Sequence, residues 1–295
     1  MNQICNTSNC NIKQQCNAGV FERQEKKYVL TEAQIEAFLQ KVHTRFSADE
    51  HGVTKISSVY FDTPEKTMLS RSLEKPIYKE KLRIRAYGEV SENSQVFVEL
   101  KKKFKGTVYK RRFQCLANDG YQFLGKRESE IIGKHSKAAD VDSRIAENLS
   151  GLELINFKEV MACRQRYSQS GLFPAYKVVT DRVALFDDED NIRMTIDVDP
   201  RFDDVNLDVA DTGNEYALLP NGSCVLEIKS GLAYPKWLTD VLSEQNIYPQ
   251  PFSKVGQAFK LSGFKPAAVE EPSIRRHAAM THALQRKDAA LANAL

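Results

Sequence analysis

Lysines and arginines recur at every second position of short strand-like runs, most clearly Lys79, Lys81, Arg83 and Arg85 within residues 77–88. Alternate side chains of a strand share a face, so this run builds a cationic stripe, with Tyr78, Leu82, Ile84 and Ala86 on the opposite side. The pattern repeats: Glu99, Lys101 and Lys103 share a face in 95–104, Lys110 and Arg112 share one in 107–115, and Arg164 alternates with Arg166. One basic strand face is ordinarily a solvated surface. Several in one chain point to a shared basic interior, and a row of like charges repels itself unless a polyanion lies along it. Glu25, Glu99 and Glu227 stand two residues from Lys27, Lys101 and Lys229. Carboxylates set among cations in this way suit a divalent metal that bridges to phosphate oxygens better than they suit a nucleic-acid groove.

These residues need strands to aim them. Strand patterning is expected over 24–30, 55–61, 77–88, 95–104, 107–115, 160–168, 175–185, 192–198 and 224–229, with Lys105-Gly106 as a hairpin turn. Thr31 reads as the N-cap of a helix over 32–44, Pro64 as the opening of a short helix over 65–73, and 118–149 as a helical insertion broken near Gly125 and Gly133. A further helix over 235–243 carries Trp237, which with Tyr234 is expected to anchor it; Tyr60 and Phe61 read as packing residues. A sandwich would leave the charged faces in water and bury the apolar ones. The expected fold is therefore α+β: an eight-stranded antiparallel β-barrel tunnel with charges in its lumen and helices covering its apolar outer face.

The chain has 295 residues, is 42% hydrophobic and 27% charged, and carries a net charge of only +3. That is enough for a sizeable core, and too little basic excess for a dedicated nucleic-acid binder. No run approaches the roughly 20 apolar residues of a membrane span, which gives the expectation of a cytoplasmic protein without transmembrane segments. The six cysteines form no CxxC pair, and Cys5, Cys10 and Cys16 fall in an Asn/Gln-rich stretch expected to be a disordered leader over 1–20. Residues 266–295 read as a helical tail, leaving 21–265 as the domain.

The motifs Arg23-Gln24-Glu25-Lys26-Lys27-Tyr28, Val59-Tyr60-Phe61-Asp62, Lys81-Leu82-Arg83-Ile84-Arg85, Val98-Glu99-Leu100-Lys101, Asp181-Arg182-Val183-Ala184, Arg193-Met194-Thr195-Ile196-Asp197, Leu226-Glu227-Ile228-Lys229 and Phe252-Ser253-Lys254 follow one another in order. Together they resemble the VTC domain, the polyphosphate polymerase branch of the triphosphate tunnel metalloenzymes (CYTH-like superfamily). The resemblance implies a tunnel that transfers the terminal phosphoryl group of ATP to inorganic polyphosphate, with Mn²⁺ or Mg²⁺ as cofactor. It implies phosphate contacts from Lys27, Lys81, Arg83, Arg85, Lys101, Arg182 and Lys254, with Lys110, Arg193 and Lys229 added; strand register leaves the choice between Lys110 and Arg112 open. Arg83, Arg85, Lys101, Arg182 and Glu227 would be the catalytic set, and Glu227 with Glu25 and Glu99 the metal set. Two departures stand out. Thr180 occupies a position where the family usually has tyrosine, and Arg23-x-Glu25-x-Lys27 replaces the Glu-x-Glu-x-Lys start of the hydrolytic relatives, which favours the polymerase branch. A metal-dependent tripolyphosphatase or nucleoside triphosphatase, and a non-catalytic polyphosphate-binding module, are the alternatives.

Overall fold

The computed structural model describes residues 24–125 and 138–263, apart from 92, 212, 214 and 232. The expected leader, the tail helix, Arg23 and the break near Gly133 lie outside the described residues. The elements run β1 (Gln24–Leu30), α1 (Glu32–Val42), β2 (Ser47–Asp62), α2 (Thr67–Leu73), β3 (Tyr78–Tyr87), β4 (Gln95–Phe104), β5 (Thr107–Leu116), α3 (Ala117–Leu124), α4 (Ala138–Glu147), α5 (Gly151–Arg166), β6 (Phe173–Asp187), β7 (Ile192–Asp203), β8 (Tyr216–Ala217), β9 (Cys224–Ser230), α6 (Lys236–Glu244) and α7 (Lys254–Leu261).

The strands form one nine-stranded sheet in the order β1-β9-β7-β6-β2-β3-β4-β5, with β8 added to β7, and all pairings are antiparallel. The α+β class stands. The expected barrel closure does not: β1 and β5 end the hydrogen-bonded path, and no ladder joins them among the described residues. The sheet nevertheless curls, because Glu25 and Lys27 on β1 lie close enough to Lys101 on β4 to perturb its ammonium group.

Alternation decides what each face carries. On β3 Lys79, Lys81, Arg83 and Arg85 stay half-buried on the concave side, while Glu80, Leu82, Ile84 and Ala86 are buried on the other. The outer apolar face is covered by helices, as expected. Leu82, Ile84, Val98, Leu100 and Phe113 pack under α3, α4 and α5 through Phe123, Ile145, Phe157 and Val160. Tyr28, Leu226, Ile228, Met194 and Ile196 pack under α1 and α6 through Phe38, Leu39 and Leu238. Trp237 does anchor α6: its indole N–H donates to Asp190 at 2.7 Å, and its ring takes the edge of Phe46 and the guanidinium of Arg45.

Local chemistry explains the boundaries. Lys105 (φ 46°) and Gly106 (φ 90°) form the two-residue turn between β4 and β5, both left-handed, as the right-handed twist of a hairpin requires. Thr31 and Gln34 close a capping box on α1. The α2 helix begins at Thr67, later than Pro64 suggested, because the buried Asp62 carboxylate accepts from the backbone N–H groups of Thr63, Met68 and Leu69.

The strand expected over 160–168 is instead the end of α5. Phe157, Val160 and Cys163 form a buried stripe at helical spacing, so the alternation of Arg164 with Arg166 is incidental. Arg164 pairs with Asp142 on α4, and Arg166 with the buried Glu80 of β3, both on the outer side of the sheet. Besides α5, two elements were not expected, β8 and α7. The α7 helix is capped by Ser253, whose hydroxyl accepts from Gly256 N–H, and it packs with α2 against Tyr60, Tyr176, Val178 and Phe202 at one end of the concave face.

Candidate phosphate site on the concave face

Cations from β1, β3, β4, β5, β6, β9 and α7 converge on the concave face, those on strands held by the burial of the opposite side of the sheet under helices. Arg83 is the best-held. Its guanidinium donates to Glu99 Oε2 from Nε at 2.9 Å and from Nη2 at 2.6 Å, and to the Tyr60 hydroxyl from Nη1 at 2.9 Å. Lys110 reaches the second oxygen of Glu99 at 2.6 Å. That contact resolves the register between Lys110 and Arg112. Arg112 lies over the Phe97 ring instead, 4.4 Å from its centroid. Burial pushes the Glu99 carboxyl up, but Arg83 and Lys110 outweigh it and hold the group well below the usual carboxylate range. Burial likewise raises the Tyr60 hydroxyl, and Arg83, Lys81 and Arg85 more than offset it, bringing it down to about 8.

A second centre forms where β6 and β7 pair, with Arg182 in register with Asp197. Arg182 makes a two-pronged contact with Asp197 at 2.6 and 2.8 Å, and the Lys254 ammonium at the start of α7 reaches the same carboxylate. Asp197 is fully buried; burial raises its carboxyl, and Lys254 and Arg182 drive it below the ordinary range. The third centre is on β1 and β9. Glu227 pairs with Lys229 and lies 3.4 Å from Lys27, whose ammonium is also 3.6 Å from Glu25.

Lys81, Arg85 and Lys101, like Lys79, Arg112 and Arg193 on the same face, have no carboxylate at ion-pair distance among the described residues. Lys81 donates only to the Ser253 hydroxyl, at 2.8 Å, and burial with the neighbouring Lys101, Lys79 and Lys27 pulls its ammonium down to about 8, although Tyr60 opposes them. Arg85 lies 5.5 Å from the centroid of the Tyr87 ring, and its buried Nε has no hydrogen-bond partner. The Lys101 side chain is exposed, and the atoms and cations around its ammonium lower it, against Glu25 and Glu227, which raise it. Arg193 joins the concave face by alternation with Thr195 and Asp197, exposed and opposite Lys229.

Every expected phosphate residue is thus on this face: Lys27, Arg83, Lys110, Arg182, Lys229 and Lys254 are grouped about three anchoring carboxylates, while Lys81, Arg85, Lys101 and Arg193 stand apart from them. The expected metal set divides. Glu25 and Glu227 flank one point, now held by Lys27, whereas both oxygens of Glu99 are taken by Arg83 and Lys110. No group of three or more His, Cys, Asp or Glu stands at metal-ligand spacing among the described residues. The pair suits a hard cation only if phosphate oxygens complete its shell.

Asp197 is absent from the expected set, although its alternation with Arg193 is a signal for it. Tyr60 is expected as a packing residue. The ring is indeed buried, but its hydroxyl accepts from Arg83. Thr180 donates to the Val198 carbonyl at 3.1 Å. No helix among the described residues is long and apolar enough to cross a membrane.

Among solved structures, the chain is similar to a provisionally assigned adenylate cyclase from Bacillus halodurans, with 15% identity, a TM-score of 0.42, and coverage of 82% of this chain and 98% of that one. Another, from Vibrio parahaemolyticus, has 13% identity, a TM-score of 0.40, and coverage of 82% and 99%. No curated protein matches. The family model of the VTC domain matches residues 22–262, the span that contains the whole sheet and all three charge centres, and the chain belongs to that family.

Proposed function

We propose that the concave face is a triphosphate and polyphosphate tunnel, and that the protein is an ATP-dependent polyphosphate polymerase. The observation that carries this reading is the row of Lys81, Arg85 and Lys101 along the wall, cations with no carboxylate at ion-pair distance, Lys81 directly opposite Lys101, beside arginines already oriented by Glu99 and Asp197. An extended polyanion relieves that repulsion along its length.

In the proposed reaction a terminal oxygen of the polyphosphate chain attacks the γ-phosphorus of ATP. The new P–O bond forms as the bond to the β,γ-bridging oxygen breaks, and ADP leaves with that electron pair. The attacking oxygen is already anionic near neutral pH, so no general base is required. Phosphoryl transfer instead demands in-line placement and neutralisation of the equatorial oxygens. Arg83 and Arg182 present rigid forks whose direction is set before substrate arrives, while Lys27, Lys101 and Lys254 act as point charges. A divalent ion such as Mn²⁺ or Mg²⁺, held by Glu227 and Glu25, would supply further neutralisation of phosphate charge; Glu99 belongs to the positioning of Arg83 and Lys110.

The test is incubation of the purified protein with ATP and Mn²⁺, with polyphosphate resolved on gels and ADP and phosphate assayed. A growing ladder with equimolar ADP, reduced at least about 100-fold by Arg83→Ala, is expected. Phosphate release without a ladder would replace the polymerase by a hydrolase, and binding without turnover would leave a polyphosphate-binding module.

A further inference from the structure

The two ends of the concave face differ in chemistry. Where β3 begins, the wall carries Lys79, whose ammonium donates to the Ser72 carbonyl at 3.2 Å, beside α2 and α7. Where β3 ends, guanidinium and aromatic groups alternate. Arg85 is in register with Phe97, Tyr87 follows Arg85 on the same face, and Arg112 leans across from β5. The Tyr87 and Phe97 rings meet edge to face at 82°, with centroids 5.9 Å apart, and Tyr87 is 42% exposed. A purely phosphate-binding wall has no use for two aromatic rings at its mouth, one of them open to solvent.

We propose that this rim is a nucleobase shelf: the purine of the incoming nucleotide stacks on Tyr87, with Phe97 and Arg112 backing it, while the ribose-linked phosphates run inward past Arg85 to Arg83. The proposal rests on the tunnel reading above and adds the part of the substrate that phosphate contacts do not recognise. Spacing supports it. Arg83 and Tyr87 are four residues apart on one strand face, roughly 13 Å by the rise of a strand, a span that an extended nucleoside triphosphate covers. The unpartnered Nε of Arg85 lies between the two and is the donor such a ligand would satisfy. Base stacking on an aromatic face is tolerant of base identity, because every base has a π-face, so the shelf takes ATP and GTP alike.

Calorimetric titration with ATP and with inorganic tripolyphosphate separates the shelf from the tunnel. Tyr87→Ala is expected to weaken ATP about ten-fold while leaving tripolyphosphate within about two-fold, the effect of losing one stacked ring. Phe97→Leu should weaken ATP in the same selective way. Equal losses for both ligands, or no loss for either, would overturn the shelf and leave the tunnel standing. Failure of the unaltered protein to bind tripolyphosphate at all would overturn the tunnel reading itself. Retained tripolyphosphate binding also shows that each variant is folded.

Discussion

Lys81 is the cation of this wall with least to keep it charged. Its one hydrogen-bond partner is the neutral Ser253 hydroxyl, and burial among other cations brings its ammonium from 10.5 to about 8. Between those two values the unfolded chain binds a proton that the folded chain lacks, so this residue makes stability rise with pH across the window from 8 to 10.5. Below about 8 it is charged in both states, and its repulsion is a standing cost of the site. An anion reverses the balance by favouring the ammonium. Tripolyphosphate binding at pH 8.5 should therefore take up protons, seen as a dependence of the binding enthalpy on buffer ionisation, and its affinity should fall between pH 7 and pH 9. Lys110, also lowered to about 8, and Tyr60 share in that uptake, so Lys81→Gln should reduce it rather than abolish it. An uptake unchanged in Lys81→Gln would show that Lys81 is already fully charged in the free protein.

At the scale of elements, the strands that position the site were legible because each alternates cleanly: β1, β3, β4, β5 and β9 fall close to their expected spans, and the Lys105-Gly106 turn fixes the β4–β5 register. The α5 helix was not legible: the helical insertion was expected to end at 149, and Arg164 and Arg166 imitate a strand over 160–168, although Phe157, Val160 and Cys163 carry helical spacing. Nor was the pairing of Arg182 with Asp197, since partners on neighbouring strands are set by register and not by local pattern. The closed barrel was inferred from strands with charged inner and apolar outer faces, and that pattern is met equally by a curled open sheet, since it says nothing of whether the first and last strands meet. What α5 contributes can be apportioned. Phe157 is 3% exposed and packs edge to face on Phe113 and tilted against Phe123, whereas Glu159 bridges Lys102 and Arg111 at the half-exposed edge. Chemical denaturation should give a loss of about 3–5 kcal/mol for Phe157→Ala and less than about 1 kcal/mol for Glu159→Ala. Similar losses for the two would mean that the helix is held by charge rather than by packing.

At the scale of the whole molecule, a net charge of +3 coexists with a sheet face crowded with cations, so the field is local. The outer face of the sheet is covered by helices, and the β6–β7 turn at Asp187, Asp188, Glu189 and Asp190 is acidic, with Glu189 and Asp190 held against Arg45. On the proposed function, a ligand is therefore selected by whether it can lie along the concave face, not by charge alone. Polyphosphate is a single flexible strand of phosphates and meets that condition. A DNA duplex of greater total charge presents its phosphates around a rigid cylinder and would have to bind the outside, where the charges are mixed. Salt should still weaken polyphosphate binding, because its charges neutralise the wall and screening at about 0.3 M reaches within a few ångströms. In a competition assay with labelled polyphosphate at about 0.1 M salt, unlabelled polyphosphate should displace the label, and duplex DNA at about a hundred-fold excess of phosphate should not. Displacement by DNA at matching phosphate concentration would mean that recognition resides in exposed charge, and that the concave geometry is not what selects the ligand.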